Sequence, residues 1–354
     1  MRFLTRQEEQ RAQDLHKKAI VLDGHSDIGG NILRRRMKGE TAILERMHRG
    51  QLEMGGITSV LLAVWADSES YNYGGYGQAT STALRSIAFA KEEIDACQGW
   101  ALHARSADDI RRAKQQGKVA FVFHFEGGMP LGEDIAYVKV FKELGVLSVG
   151  PVWNVRNQIA DGVEQRSGSG LSNFGAQLIP ELNRLRIAID VSHLPERGFW
   201  DVMDLTLQPV IASHSNVRTL CDNPRNVNDD QIHAIAGNGG VIGTCFYSPF
   251  IHAKEPTFDR ILDHIDYVAN LVGVNHVGLG PDFTDYMAEE NVKIPSPGCI
   301  TGQSALHLYP NGIENASKML NMTRGLVARG YSDADIIKIL GDNFLRVLKE
   351  VWGS

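Results

Sequence analysis

The chain has 354 residues, 43% of them hydrophobic and 22% charged, with a formal net charge of −6. That composition supports a folded core and excludes a protein that is disordered throughout. No excess of basic residues offers a footprint for nucleic acid, so that partner is excluded too.

The N-terminal stretch MRFLTRQEEQRAQDLHKKA is charged and helical in character. It lacks the apolar stretch of a signal peptide. No run approaches the ~18 apolar residues needed to span a bilayer. A cytoplasmic protein without a membrane partner is the expectation. Cys97, Cys221, Cys245 and Cys299 lie far apart with no CxxC, which suits reduced thiols and offers no zinc knuckle or disulfide framework.

Eight short, β-rich apolar runs follow in chain order: Ala19–Asp23, Ile57–Trp65, Val119–Phe125, Leu147–Trp153, Ile187–Ser192, Pro209–Ser213, Gly240–Phe246 and His276–Gly280. Most are separated by stretches with helical spacing. Ser81–Ala96, Asp134–Leu144, Asn173–Arg184 and Thr257–Val272 read as helices, and Asn315–Arg329 and Ser332–Leu340 as late outer ones. Near-continuous apolar strands alternating with helices predict a parallel sheet buried on both faces. Eight such units predict an α/β fold, a (β/α)₈ TIM barrel of metal-dependent hydrolase type, formed by residues 1–354 as a single domain. A doubly wound open sheet would carry a Gly-rich GxGxxG turn after its first strand, and DGHSDIGG is not one. Long irregular loops are expected after strand two (about 66–80) and strand eight (about 283–310), at the end where barrels build active sites.

The ligand-type side chains fall at that same end. His25 and Asp27 follow strand one in DGHSD. Glu126 closes strand three in FHFEGG, His193 closes strand five in DVSH, His214 closes strand six in ASHS, and Asp282 follows strand eight in GLGPDF. Taken singly, each histidine is an ordinary hydrogen-bonded residue, and Asp27 or Asp282 starts a turn. Taken together, five strands present a His, Asp or Glu at one face. Imidazole and carboxylate without thiolate suit a pair of divalent ions of the zinc, manganese, iron or cobalt kind. A carboxylate such as Glu126 can bridge ions about 3.5–4 Å apart, and such a pair makes hydroxide available near neutral pH. His124, two residues before Glu126, faces the same side one layer deeper and reads as a supporting or core histidine. His276 opens strand eight at the opposite end, and His16, His48, His103, His233, His252, His264 and His307 read as ordinary. Ser192, Ser213 and Ser215 flank histidines without the GxSxG elbow of a serine hydrolase.

These pieces resemble the membrane dipeptidase (renal dipeptidase) family of zinc metallopeptidases in its soluble bacterial form. The matching motifs are DGHSD (23–27), FEGG (125–128), WNVRNQIADG (153–162), DVSHL (190–194), SHSNVRTLCDNPRNV (213–227), GLGPDF (278–283) and GDNFLRVL (341–348), in the family's order. The resemblance implies two divalent ions, zinc by that analogy. His25 and Asp27 would hold the first, His193 and His214 the second, with Glu126 bridging. It implies Asp282 as the acid/base for the attacking water and the leaving amine. Arg225 would bind the substrate's terminal carboxylate, a role suited to a guanidinium fork, with Trp153 and Tyr247 on the substrate side, where Asn154, Arg156 or Asn157 would add the contact that an indole does not make. The implied reaction is hydrolysis of a dipeptide, including L-Xaa–D-Xaa dipeptides, by a metal-bridging hydroxide. Relatives often form homodimers.

Two positions depart from the family pattern. Trp153 stands where family dipeptidases carry a histidine that contacts the substrate carbonyl, and Met129 stands where some members have histidine after EGG. An indole N–H donates one hydrogen bond but takes no proton. Two alternatives therefore stay open: an amidohydrolase acting on another small amide, a lactone or an N-acyl amino acid, and a catalytically silent barrel that binds a metal or ligand.

Overall fold

The computed structural model describes residues 2–67, 75–286 and 308–353. Among the described residues nine strands run in chain order: β1 (Leu22–Ser26), β2 (Ser59–Val64), β3 (Ala101–His103), β4 (Val119–Phe125), β5 (Val146–Val149), β6 (Ala188–Ile189), β7 (Ile211–Ala212), β8 (Val241–Thr244) and β9 (Val277–Leu279). Every pair is parallel, in the orders β1-β2-β4-β5-β6 and β7-β8-β9. Two parallel bridges join the arcs. Asp190 pairs with Ile211 between β6 and β7, and Ser26 pairs with Phe283 between β1 and the end of β9. The ring so closed is the expected eight-stranded barrel, and each of its eight strands lies within or overlaps a predicted run.

β3 is an addition the apolar pattern did not announce. It pairs with the first residues of β4, Ala101 opposite Val119. β2 occupies one edge of β4 along its whole length, so β3 takes the other edge until β5 replaces it from Phe123 onward. With only three residues and no alternation, Ala-Leu-His carries little strand signal.

Side chains cap three of the expected helices. Ser172 caps Asn173–Arg184, Thr257 caps Phe258–Val272, and Ser332 caps the turn that begins at Asp333. Gly75–Ala96 starts six residues before the predicted Ser81 and so shortens the loop expected after strand two. The remainder of that loop (68–74), most of the loop expected after strand eight (287–307), His307 and Cys299 lie outside the described residues.

β4 is buried at all seven positions, as a strand covered on both faces must be. Alternation places Ala120 and Val122 in an inner cluster with Leu22, Leu61, Ile211 and Val241. Phe344, from the helix Asn343–Trp352, completes this cluster and closes the floor of the barrel. A methyl group on Gly24 would lie 2.7 Å from the Phe344 ring, and one on Gly278 would lie 2.5 Å from it. Both strands need glycine there because an aromatic ring fills the space a side chain would take.

Candidate active site

The six expected ligand-type residues converge above this floor. His25 sits on β1 with no exposed surface, and Glu126, His193 and His214 are buried beside it. Glu126 Oε1 lies 3.2 Å from His193 Nε2, 3.6 Å from His25 Nε2 and 4.0 Å from His214 Nε2. His25 Nε2 is 4.0 Å from Asp27 Oδ1 and 3.9 Å from Asp282 Oδ1. The rings of His25 and His214 stack with centroids 3.9 Å apart. Three overlapping groups have ligand atoms within 4.8 Å of one another: His25 with Asp27 and Glu126, Glu126 with His193 and His214, and His25 with His214 and Asp282.

Two of these residues adopt left-handed backbone, His193 with φ 68° and Asp282 with φ 62°. Such conformations cost a non-glycine residue roughly 1–2 kcal/mol and persist only where surrounding structure imposes them. At Asp282 the backbone N–H donates to His25 O at 3.3 Å, and the Tyr309 hydroxyl donates to Asp282 O. At His193 the carbonyl accepts from Val163 N at 3.0 Å.

Buried partners set the proton positions of two rings. Asn154 Oδ1 lies 2.6 Å from His193 Nδ1, and the Asn154 amide donates to Glu164 at 3.1 Å, which fixes which end of the amide faces the ring. A carbonyl oxygen only accepts, so Nδ1 carries the hydrogen and Nε2 keeps its lone pair. His214 Nδ1 lies 2.7 Å from Ser213 Oγ, which in turn lies 2.5 Å from Asp190 Oδ2. His124, the deeper histidine, contacts Ser148 Oγ at 3.0 Å and stands 3.4 Å from Asp190 Oδ2, as a supporting residue should.

Burial dominates the electrostatics. It raises the Glu126 and Asp282 carboxyls well above their usual range, and the Asp27 charge pushes both further. It also lifts Asp27 to about 6. The same burial holds His25, His193 and His214 well below the ordinary imidazole value, with nearby cationic groups adding to the effect. Neutral imidazoles beside crowded carboxylates favour a divalent cation at their centre. His25 supplies a direct test of that fit. Among the described residues neither of its fully buried ring nitrogens has a hydrogen-bond partner, an arrangement that is costly unless a ligand accepts the lone pair.

Arg225 is buried at the edge of the cluster. Its Nη2 donates to His193 Nε2 and to His214 O, each at 3.2 Å, and its Cζ lies 5.2 Å from the Phe250 ring. Its Nε and Nη1 have no partner among the described residues. Trp153 lies with its ring centroid 6.3 Å from that of His193 and 5.2 Å from that of Trp65. Asn154, expected on the substrate side, is turned toward His193. Tyr247 packs on Phe250 and Tyr309 behind Asp282.

Several contributors carry little mark of their role in the sequence. Asp190 and Ser213 stand beside the histidines in DVSH and ASHS, but only the fold makes them partners. Cys245 donates its thiol hydrogen to Asp282 Oδ2 at 3.7 Å. Asp67, just past β2, is fully buried, with Asn157 Nδ2 at 3.4 Å, and burial pushes its carboxyl up to about 7. Its carboxylate packs on Gly127, where a methyl group would sit 2.2 Å from Oδ2. A carboxylate ending an apolar strand is the same signal that marked Glu126.

A parallel barrel with three histidines and three carboxylates gathered at its strand ends defines the class of metal-dependent hydrolase barrels. The family model described as membrane dipeptidase (peptidase family M19) matches residues 9–293 and 302–352, and the chain belongs to that family. It is thereby a metal-dependent dipeptidase. Over 278 residues it is 34% identical to an uncharacterized Klebsiella pneumoniae protein from the pqqA 5′ region, covering 75% of this chain and 94% of that protein. It is 32% identical to the dipeptidase tcpJ of Claviceps purpurea, over 70% of this chain and 55% of that protein. The crystal structure of an amidohydrolase from Pseudomonas aeruginosa superposes with a TM-score of 0.81 at 28% identity, covering 97% of this chain and 99% of that one. Among the described residues no helix is long and apolar enough to cross a membrane.

Proposed function

We propose that this chain, as one barrel domain, hydrolyses dipeptides with a free carboxyl end, D-residues at that end included, using two divalent ions. The observation that carries the reading is His25: a fully buried imidazole whose ring nitrogens have no partner among the described residues, facing Asp27, Glu126 and Asp282. His25 and Asp27 would hold one ion and His193 and His214 the other, with Glu126 between them. When bound, such ions polarise the scissile carbonyl and supply hydroxide near neutral pH.

The chain's own residues account for the remaining steps. Arg225 directs Nε and Nη1 to the substrate's carboxylate and so sets which bond lies over the cluster. Asp282 takes the proton of the attacking water and returns it to the amine nitrogen as the C–N bond breaks. A carboxyl whose proton affinity is raised by burial suits both halves of that transfer. Cys245 holds Oδ2 of Asp282 and leaves Oδ1 toward His25.

Asp282→Asn removes the proton carrier and leaves the volume unchanged. The expected loss in kcat is about 10²–10⁴-fold with metal content unchanged, measured on a panel of L,L- and L,D-dipeptides. Equal rates in the two proteins would remove Asp282 from this role. Trp153 supports a second reading, another small amide, lactone or N-acyl amino acid as substrate. Faster turnover of those compounds than of any dipeptide in the same panel would favour it.

A further inference from the structure

Asp190 touches neither the space above the ligands nor any ligand side chain, yet its carboxylate is saturated in a way that reaches His214. Oδ1 accepts from Ser192 N at 3.0 Å and from Ser213 N at 2.9 Å. Oδ2 lies 2.5 Å from Ser213 Oγ, whose own neighbour is His214 Nδ1 at 2.7 Å. The Ser192 hydroxyl stands farther from Ser213 Oγ, at 3.4 Å. All these groups are buried.

Ser213 has one hydroxyl hydrogen, and its shortest contact is to a carboxylate oxygen, which only accepts. The hydroxyl therefore donates to Asp190 and accepts from His214 Nδ1–H, which leaves the Nε2 lone pairs of His214 and His193 facing each other at 2.9 Å, an arrangement that a shared cation would relieve. We infer that Asp190, acting through Ser213, is a positioning residue that fixes the His214 tautomer, keeping the hydrogen on Nδ1 and the lone pair on Nε2. The inference rests on the reading of His214 as a metal ligand. It adds a requirement on the direction in which each hydrogen bond of the chain points.

That direction makes the two single substitutions unequal. In Asp190→Asn the two backbone amides still claim Oδ1, so the amide nitrogen falls where Oδ2 was and must donate to Ser213. The serine hydrogen then turns to His214 Nδ1, and the ring's single hydrogen moves to Nε2, the nitrogen that faces Glu126 and His193. In Ser213→Ala the ring loses its partner but no opposite tautomer is imposed. The double variant has no hydroxyl to pass the reversal on.

The test measures metal affinity by chelator competition with Zn²⁺ and Co²⁺, together with long-range ¹H–¹⁵N spectra of the histidines in metal-free protein. Ser213→Ala is expected to lose about tenfold in affinity and Asp190→Asn about 100-fold, at the upper end of supporting-residue effects. The double variant is expected to return to the Ser213→Ala value. The spectra should place the His214 hydrogen on Nδ1 in the wild type and on Nε2 in Asp190→Asn. An Asp190→Asn protein that binds metal as well as Ser213→Ala, or a double variant no better than Asp190→Asn, overturns the inference. A general folding defect would produce that second pattern. If the wild type bound no metal, the functional reading would fail, while the spectra would still decide the tautomer.

Discussion

Arg225→Met tests the substrate-carboxylate site most directly. Arg225 is only 6% exposed, and burial lowers its proton affinity, so the site bears the cost of a desolvated cation. Nη2 is held by His193 and His214, while Nε and Nη1 have no partner among the described residues. A carboxylate accepting from both would form two charge-assisted hydrogen bonds, each worth about 1.5–3 kcal/mol. Methionine fills much of the volume but leaves that carboxylate buried and unpaired, a cost of about 3–5 kcal/mol. At 1.36 kcal/mol per tenfold, the expected loss is roughly 10²- to 10⁴-fold in kcat/KM. The assay compares a dipeptide with its C-terminal amide in both proteins. The wild type should discriminate against the amide by a similar factor, and the variant should scarcely discriminate. Because Nη2 touches His193, metal content is measured alongside. Undiminished discrimination in a metal-replete variant would refute the assignment.

Three further outcomes are expected. Asn154→Ala frees His193 Nδ1 and should weaken metal binding about 10- to 100-fold in chelator competition; a change confined to KM at full metal occupancy would return Asn154 to the substrate side. Phe344→Ala empties the barrel floor and should cost about 3–5 kcal/mol in urea unfolding; an unchanged unfolding midpoint would show that the ring does not carry the floor. Asp67→Asn should stabilise the metal-free protein in a pH-dependent way. Burial raises this carboxyl to about 7 in the folded chain, against about 3.9 when unfolded. The wild type is therefore free of the penalty below about pH 4, loses stability as pH rises, and bears the full penalty above about pH 7. The variant's advantage should grow across that window to at most about 4 kcal/mol. A constant difference between unfolding curves at the two ends of the window would show that the Asp67 charge is not what burial penalises.

What the sequence revealed and what it hid divide along one physical line. Strands such as β2 and β4 were legible because burial on both faces leaves a continuous apolar run, and Glu126 or His214 at the end of such a run stands out against it. The early start of Gly75–Ala96 was hidden because Gly75, Tyr76 and Gly77 read as loop and stay exposed in the fold, so no buried face marks the first turn. Roles that depend on a partner far along the chain were hidden more deeply. Glu164 orients Asn154, and Asp190 reaches His214 through a serine 23 residues away. The left-handed backbone at His193 and Asp282 left no mark either, since neither is the glycine that such a φ favours. A metal site needs ligands of the right type, which composition at strand ends discloses, and it needs each ligand in one tautomer and one orientation. Hydrogen bonds across the fold impose that second requirement. A chain could keep all six ligand-type residues and lose the chemistry at Asp190 alone.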